Sequence, residues 1–339
     1  MQKPYYYNLV NKEIWHKKSD SLFAKIQEYF KALGVDAEER INQVKNQWKN
    51  KIDSKLRKKF QMTRRMKEKK ETTSNNDDHP NIENSKLKIH ISNKIPPPVI
   101  EILKKLSSAE LWVLLHMDFL KNTSFLLDKI NSKEFLLNTI INYFPKKEIE
   151  TVKSFLHIID SKAISSADEA LNEILKCQAD VLGAYFIDYG SIELYWVVIW
   201  LTSKRLNCQV EDLSIVILIH EMAHLYSHRG YDADSNRWET TRFKDTDTKI
   251  IEGIAQFYTN EICLQIANDD FFKPLEIFKK LKDCQSDDYK CYQEWISSNN
   301  NKKRLEIIRY SIIRSRSRDN LKYKEFIDLV HEGDKNLFK

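Results

Sequence analysis

A mainly helical fold with one small sheet is predicted by three features of the 339-residue sequence. Glycine and proline are scarce, at 6 and 7 residues, which disfavours the turn-dense chains of all-β proteins. Apolar residues recur at spacings of three and four along most of the chain, the mark of amphipathic helices. Only residues 181–195 combine β-prone side chains with a turn signal. With 42% hydrophobic and 31% charged residues, the composition excludes a wholly disordered chain. The length suits one large domain, or a medium domain with an accessory region.

The elements follow in chain order. Residues 19–33 carry Leu22, Phe23, Ile26, Tyr29, Phe30 and Leu33 on one helical face and stop at Gly34. Asp36 opens a second helix, with Glu39 as its capping-box partner and an apolar stripe from Ile41 through Val44, Trp48, Ile52 and Leu56 to Phe60. Residues 72–85 hold one aliphatic and no aromatic side chain and read as a flexible linker. The division predicted is a basic helical extension over 1–71, a linker over 72–95 and a main domain over 96–339, its core motifs in 180–262. After Pro96-Pro97-Pro98 come helices at 99–106, behind a Ser108 cap, at 133–144 and at 145–159. Ser166 and Glu169 form a capping box for a helix ending near Gln178. A strand at 181–188, a turn at Tyr189-Gly190-Ser191 and a short strand at 192–195 precede a helix at 197–206. Helices at 275–281, 289–296, 303–313 and 323–330 close the chain. Four of the six glycines (183, 190, 230, 253) fall in the window 183–253, which points to special backbone geometry there.

The formal charge is +6. Residues 45–70 hold twelve Lys or Arg against Asp53 and Glu68, a local +10 that leaves about −4 for the rest. That basic helix is a candidate surface for a protein partner, a nucleic acid or an anionic membrane, or a charged helix lying on its own domain. The longest apolar runs are too short for a transmembrane segment, and the first residues lack a signal-peptide core. Five cysteines without a CxxC pair fit free thiols, so a cytoplasmic protein is expected. No Walker loop or GxGxxG supports nucleotide chemistry, and no local signature marks a Ser or Cys nucleophile. The acids Asp232, Asp234, Asp245 and Asp247 and the alternating Arg314, Arg316 and Arg318 read as solvated segments.

Chemistry concentrates in residues 211–227, EDLSIVILIHEMAHLYS. His220 and His224, at i and i+4, project from one helical face and can direct ring nitrogens at one Zn²⁺. Glu221 stands beside a metal-activated water rather than on the metal, placed to act as its base. A three-ligand site needs one more protein donor. Glu252, 28 residues after His224 at the start of an apolar helix, is one candidate, and His228, one turn beyond His224, is the other.

Taken together, His220-Glu221-Met222-Ala223-His224 and the downstream Glu252-Gly253-Ile254-Ala255 resemble the zincin metallopeptidases, specifically the gluzincin branch. The resemblance spans about residues 212–260. It implies a zincin-like catalytic domain with a small sheet beside the HExxH helix, one zinc held by His220, His224 and Glu252, and Glu221 as general base. The metzincin branch is excluded because Gly230 stands where its third histidine belongs. Some gluzincins carry an Asp four residues after the ligand Glu, hydrogen-bonded to a ligand histidine. Gln256 occupies that position and could support a ligand through its amide. Tyr258, His228, Tyr226 and Tyr189 are candidate oxyanion donors. The function implied is a zinc-dependent peptidase acting on a peptide or protein substrate. Two other readings stand beside it: a regulatory HExxH metalloprotein acting with a DNA-bound repressor, and a zinc-stabilised interaction module without turnover.

Overall fold

In the computed structural model, residues 36–62, 87–115, 161–177, 181–268, 272–295 and 301–337 are described. The segments read as helices at 19–33, 133–144 and 145–159, and the linker stretch 72–85, lie outside them. Helix α1 (Ala37–Phe60) leads to strand β1 (Lys88–Ser92), short helices α2 (Pro97–Leu103) and α3 (Ser108–Leu115), and helix α4 (Ser161–Lys176). Strands β2 (Gly183–Phe186) and β3 (Ser191–Tyr195) follow, then α5 (Trp196–Leu206) and α6 (Val210–Arg229). Next come α7 (Thr240–Asp245), α8 (Thr248–Asn268) and α9 (Phe272–Cys284), two 3-10 turns (Asp287–Tyr289 and Cys291–Glu294), α10 (Asn301–Ser315) and α11 (Tyr323–Leu337). The chain is mainly helical with a small three-stranded sheet.

Helix α6 is the axis of the core. Its residues from Leu213 to His228 are buried without a break, so it must be covered all round. Helices α1, α8 and α9 and strand β2 pack against it. The half-buried Glu211 and Asp212 in its first turn suit the positive end of the helix dipole. The sheet has the order β1-β3-β2, with β3 parallel to β1 and antiparallel to β2. The register sets Ile89 beside Ile192 and Tyr185 opposite Ile192, while Gly183 stands opposite Leu194. Because alternate residues share a face, Gly183, Tyr185, Ile192 and Leu194 form the face turned toward α6.

One part of the predicted division is corrected here: the span 72–95 contains β1, whose alternating Ile89 and Ile91 extend the sheet rather than a linker. Helix α1 is built into the main core, which agrees with the reading of a charged helix lying on its own domain. Its whole stripe, Ile41 to Phe60, is buried in the same apolar cluster as α6. The Phe60 ring stacks on Tyr258 and Tyr226 at centroid distances of 3.5 and 5.7 Å. The Tyr226 hydroxyl donates to Asp53 Oδ1 at 2.9 Å. Each large side chain in that stripe gains about 2 kcal/mol on leaving water. Basic residues of α1 are also engaged internally, Arg40 with Glu211 at 2.7 Å and Lys59 with the buried Glu261 at 3.1 Å.

Local signals were displaced by a residue or more. Asp36 makes no capping hydrogen bond and instead faces Arg40 at 3.6 Å. Ser107, not Ser108, forms a capping box with Glu110: Glu110 N–H donates to Ser107 Oγ at 3.2 Å and Ser107 N–H to Glu110 Oε2 at 2.7 Å. Helix α4 begins at Ser161, so Ser166 lies within it. Of the segment 289–296, read as a helix, residues 289–295 fall in the two 3-10 turns, the turn between them and the bend after them. Arg316 is buried rather than solvated. Its guanidinium donates to the Gly230 and Asn236 carbonyls at 2.8 and 2.9 Å and faces Asp232 at 3.4 Å. Burial pulls its pKa down to about 10 against the pull of Asp232. The polar loop after α6 is thereby tied to the end of α10, with Trp238 and Phe243 sunk beneath it. Among the described residues no helix is long and apolar enough to cross a membrane.

Candidate metal centre

Helix α6 offers His220 and His224 one turn apart, their rings perpendicular with centroids 4.6 Å apart. Their Nε2 atoms lie 3.0 Å from one another. Helix α8 crosses beside them and brings Glu252, fully buried, into the same space. Glu252 Oε2 stands 3.2 Å from His220 Nε2, and Oε1 stands 3.4 Å from His224 Nε2. These three residues form a buried group whose ligand atoms all lie within 4.8 Å of one another, which could hold a metal ion. A tetrahedral ion with bonds of about 2.0–2.1 Å sets its donors about 3.3 Å apart, so the spacing fits. Burial, followed by the neighbouring His220, holds His224 well below the ordinary histidine range. It is therefore neutral, the form in which imidazole ligates.

The close packing of the segment after α9 on α8 has a local cause. A β-carbon at Gly253 would collide with the Trp295 ring and lie 2.8 Å from Cys291 Sγ. Glycine at that position lets the segment after α9 press against the helix that carries Glu252. Ala255 is fully buried as well, so both small residues of the E-G-x-A sequence serve close packing.

Glu221 is buried and points to the other side of the centre, toward the sheet. A β-carbon on Gly183 would lie 2.9 Å from both Glu221 Cγ and Oε1. The carboxylate therefore lies on the bare backbone of edge strand β2. His220 and Glu221 line a small cavity of about 40 Å³ together with Gly183, Gln256, Gln285 and Tyr289. Its remaining walls are mostly apolar, among them Val216, Phe278 and Leu281.

The other sequence candidates fall elsewhere. His228 is no part of the metal-ligating group. Its Nδ1 is 2.8 Å from the Tyr185 hydroxyl, its Nε2 is 3.2 Å from Thr240 Oγ1, and its ring stacks on Phe243 at 4.7 Å. Eight residues beyond His220, it has rotated toward β2 and α7. Tyr258, six residues after Glu252, is on another face of α8 against Phe60, so it is a core residue and not a donor to the cavity. Tyr226 is committed to Asp53, and Tyr189 is exposed in the β2–β3 turn. Gln256 does line the cavity, but its amide nitrogen donates to Gln285 Oε1 at 3.1 Å and not to a ligand histidine. The tyrosine that shares the cavity is Tyr289, its ring 6.0 Å from that of His220. No local signal singled it out, because it sits in a 3-10 turn 37 residues beyond Glu252.

Neither protein-family models, nor curated proteins, nor solved structures match this chain.

Proposed function

We propose that the protein is a zinc-dependent peptidase of gluzincin type, its metal held by His220, His224 and Glu252. The observation that carries this reading is the buried convergence of two imidazoles and one carboxylate beside a second carboxylate, Glu221, that faces the adjoining cavity. Zinc, when bound, supplies Lewis acidity toward a water and a substrate carbonyl.

The chain's own residues do the rest. Glu221 accepts a proton from the water as its oxygen attacks the scissile carbonyl carbon, and returns it to the amine nitrogen as the C–N bond breaks. The water's oxygen and second proton leave with the new carboxyl group. Of the two hydroxyl-bearing side chains that line this cavity, Thr259 donates to the Ala255 carbonyl within its own helix, and Tyr289 takes the role of donor to the developing oxyanion. Strand β2, at the sheet edge and directly over Glu221, offers a backbone against which an extended substrate can align.

The test is proteolysis of a mixed peptide library by zinc-loaded protein, with products read by mass spectrometry beside Glu221→Gln. Cleavage that disappears in Glu221→Gln supports the peptidase. Intact zinc binding with no Glu221-dependent cleavage of any peptide would replace it with a zinc-stabilised interaction module.

A further inference from the structure

We propose that Gln256 and Gln285 form a specificity-determining pair that recognises a carboxamide side chain, asparagine or glutamine, in the substrate residue beside the scissile bond. This rests on the peptidase reading and names the substrate class of the same site.

The cavity beside Glu221 is where a residue flanking the cleaved bond must lie, because that carboxylate acts on the attacking water. Most of its wall is apolar, Val216, Phe278 and Leu281 included, but two carboxamides interrupt it. Gln256 is only 3% exposed, and its Nε2 donates to Gln285 Oε1 at 3.1 Å. Its own Oε1 is buried and accepts no hydrogen bond. Among the described residues, Gln285 Nε2 has no protein partner. Two carboxamides joined head to tail leave one acceptor and one donor unused. Turning both amides over only exchanges which residue offers which.

A third carboxamide presents an N–H and a C=O side by side and satisfies both. Leucine has the shape of asparagine but neither group, so it leaves the buried acceptor unpaired. Aspartate offers acceptors only, and its charge would share the cavity with Glu221. The volume of about 40 Å³ holds roughly three water-sized atoms at about 10–15 Å³ each, the size of the C, O and N of a carboxamide head. Gln285 is half-buried and also lines the adjoining groove of about 720 Å³, so substrate reaches it from outside. The pair is held in place before substrate arrives. Gln285 N–H donates to the Lys282 carbonyl at 3.2 Å, Gln256 stands on α8 one turn after Glu252, and the neighbouring Tyr289 is buried. Such preorganised groups lose little freedom on binding.

The experiment uses capped peptides Ac-Ala-Ala-X-Ala-Ala-NH₂, with X as Asn, Gln, Leu or Asp, and the full chain. Calorimetry on zinc-free protein reads recognition alone, and mass spectrometry of digests by zinc-loaded protein reads cleavage. The Asn or Gln peptide should bind on the order of 10-fold tighter than the Leu and Asp peptides, the worth of two neutral hydrogen bonds. It should also be the one cut beside X. Gln256→Met and Gln285→Met should each bring Asn and Gln down to the level of Leu. If the buried Gln256→Met does not fold, the half-buried Gln285→Met carries the same prediction. Equal or tighter binding of Leu, a preference that both variants keep, or no binding of any peptide would each overturn the recognition. A uniform loss across all four peptides in the variants would also overturn it and assign the pair to main-chain binding. Selective binding without cleavage would sink the peptidase reading alone, and cleavage without selection would sink the recognition alone.

Discussion

The Glu221 side chain lies directly on Gly183, where an added β-carbon would stand 2.9 Å from its Cγ and its Oε1. One methyl group on β2 must therefore displace the proposed base without touching a metal ligand. Gly183→Ala should keep its zinc and lose on the order of 10- to 100-fold in kcat/KM, since misplacing a reacting group by about 1 Å can cost 100-fold. Steady-state kinetics beside metal analysis checks this. Undiminished activity would mean that Glu221 has room the packing does not show, or is not the base.

Tyr289 shares the cavity with His220 and Glu221. Replacing its hydroxyl while keeping its ring, as Tyr289→Phe, should lower kcat on the order of 100-fold with little change in KM, as expected for an oxyanion donor. Zinc content and melting temperature should stay near wild type. A loss confined to KM would assign Tyr289 to ground-state binding.

His228 has both ring nitrogens occupied, by Tyr185 and Thr240. His228→Ala should leave zinc stoichiometry intact. It should destabilise the fold by about 1–3 kcal/mol, because the buried Tyr185 hydroxyl loses its partner. Denaturant melts and metal analysis separate the two effects, and a lost zinc would reopen His228 as a ligand.

Phe60 lies stacked between Tyr226 and Tyr258 and joins α1 to both site helices. Phe60→Ala should destabilise the protein by about 3–5 kcal/mol, the range for truncating a buried aromatic. The unfolding transition should remain single, because α1 shares one apolar cluster with α6. A variant that lost α1 in a separate early transition would restore the picture of a detachable extension.

Much of this arrangement was legible in the sequence, for identifiable reasons. The Ile41–Phe60 stripe, the unbroken apolar run of α6 and the HExxH spacing are periodic signals carried by neighbouring residues, and each forms the helix its period implies. Gly183 and Gly253 stood out because glycine is scarce, although their reason, the approach of Glu221 and of Trp295, is tertiary. What was missed depends on distant partners. Strand β1 borders a polar stretch, and its two isoleucines acquire meaning only beside Ile192 and Leu194. Arg316 alternates with serines and looks exposed, yet it is held by carbonyls at the end of α6 more than 80 residues away. Tyr258 looked well placed because it follows Glu252 closely, but six residues turn it about 120° round the helix, onto the face against Phe60. Gln256 kept its place in the cavity wall and took a different partner.

The most direct test of the metal centre is zinc content of the purified wild-type protein beside Glu252→Ala and Glu221→Gln. The account predicts near-stoichiometric zinc in the wild type and in Glu221→Gln, and its loss in Glu252→Ala. Full zinc retained in Glu252→Ala, or none in the wild type even after reconstitution, would contradict it.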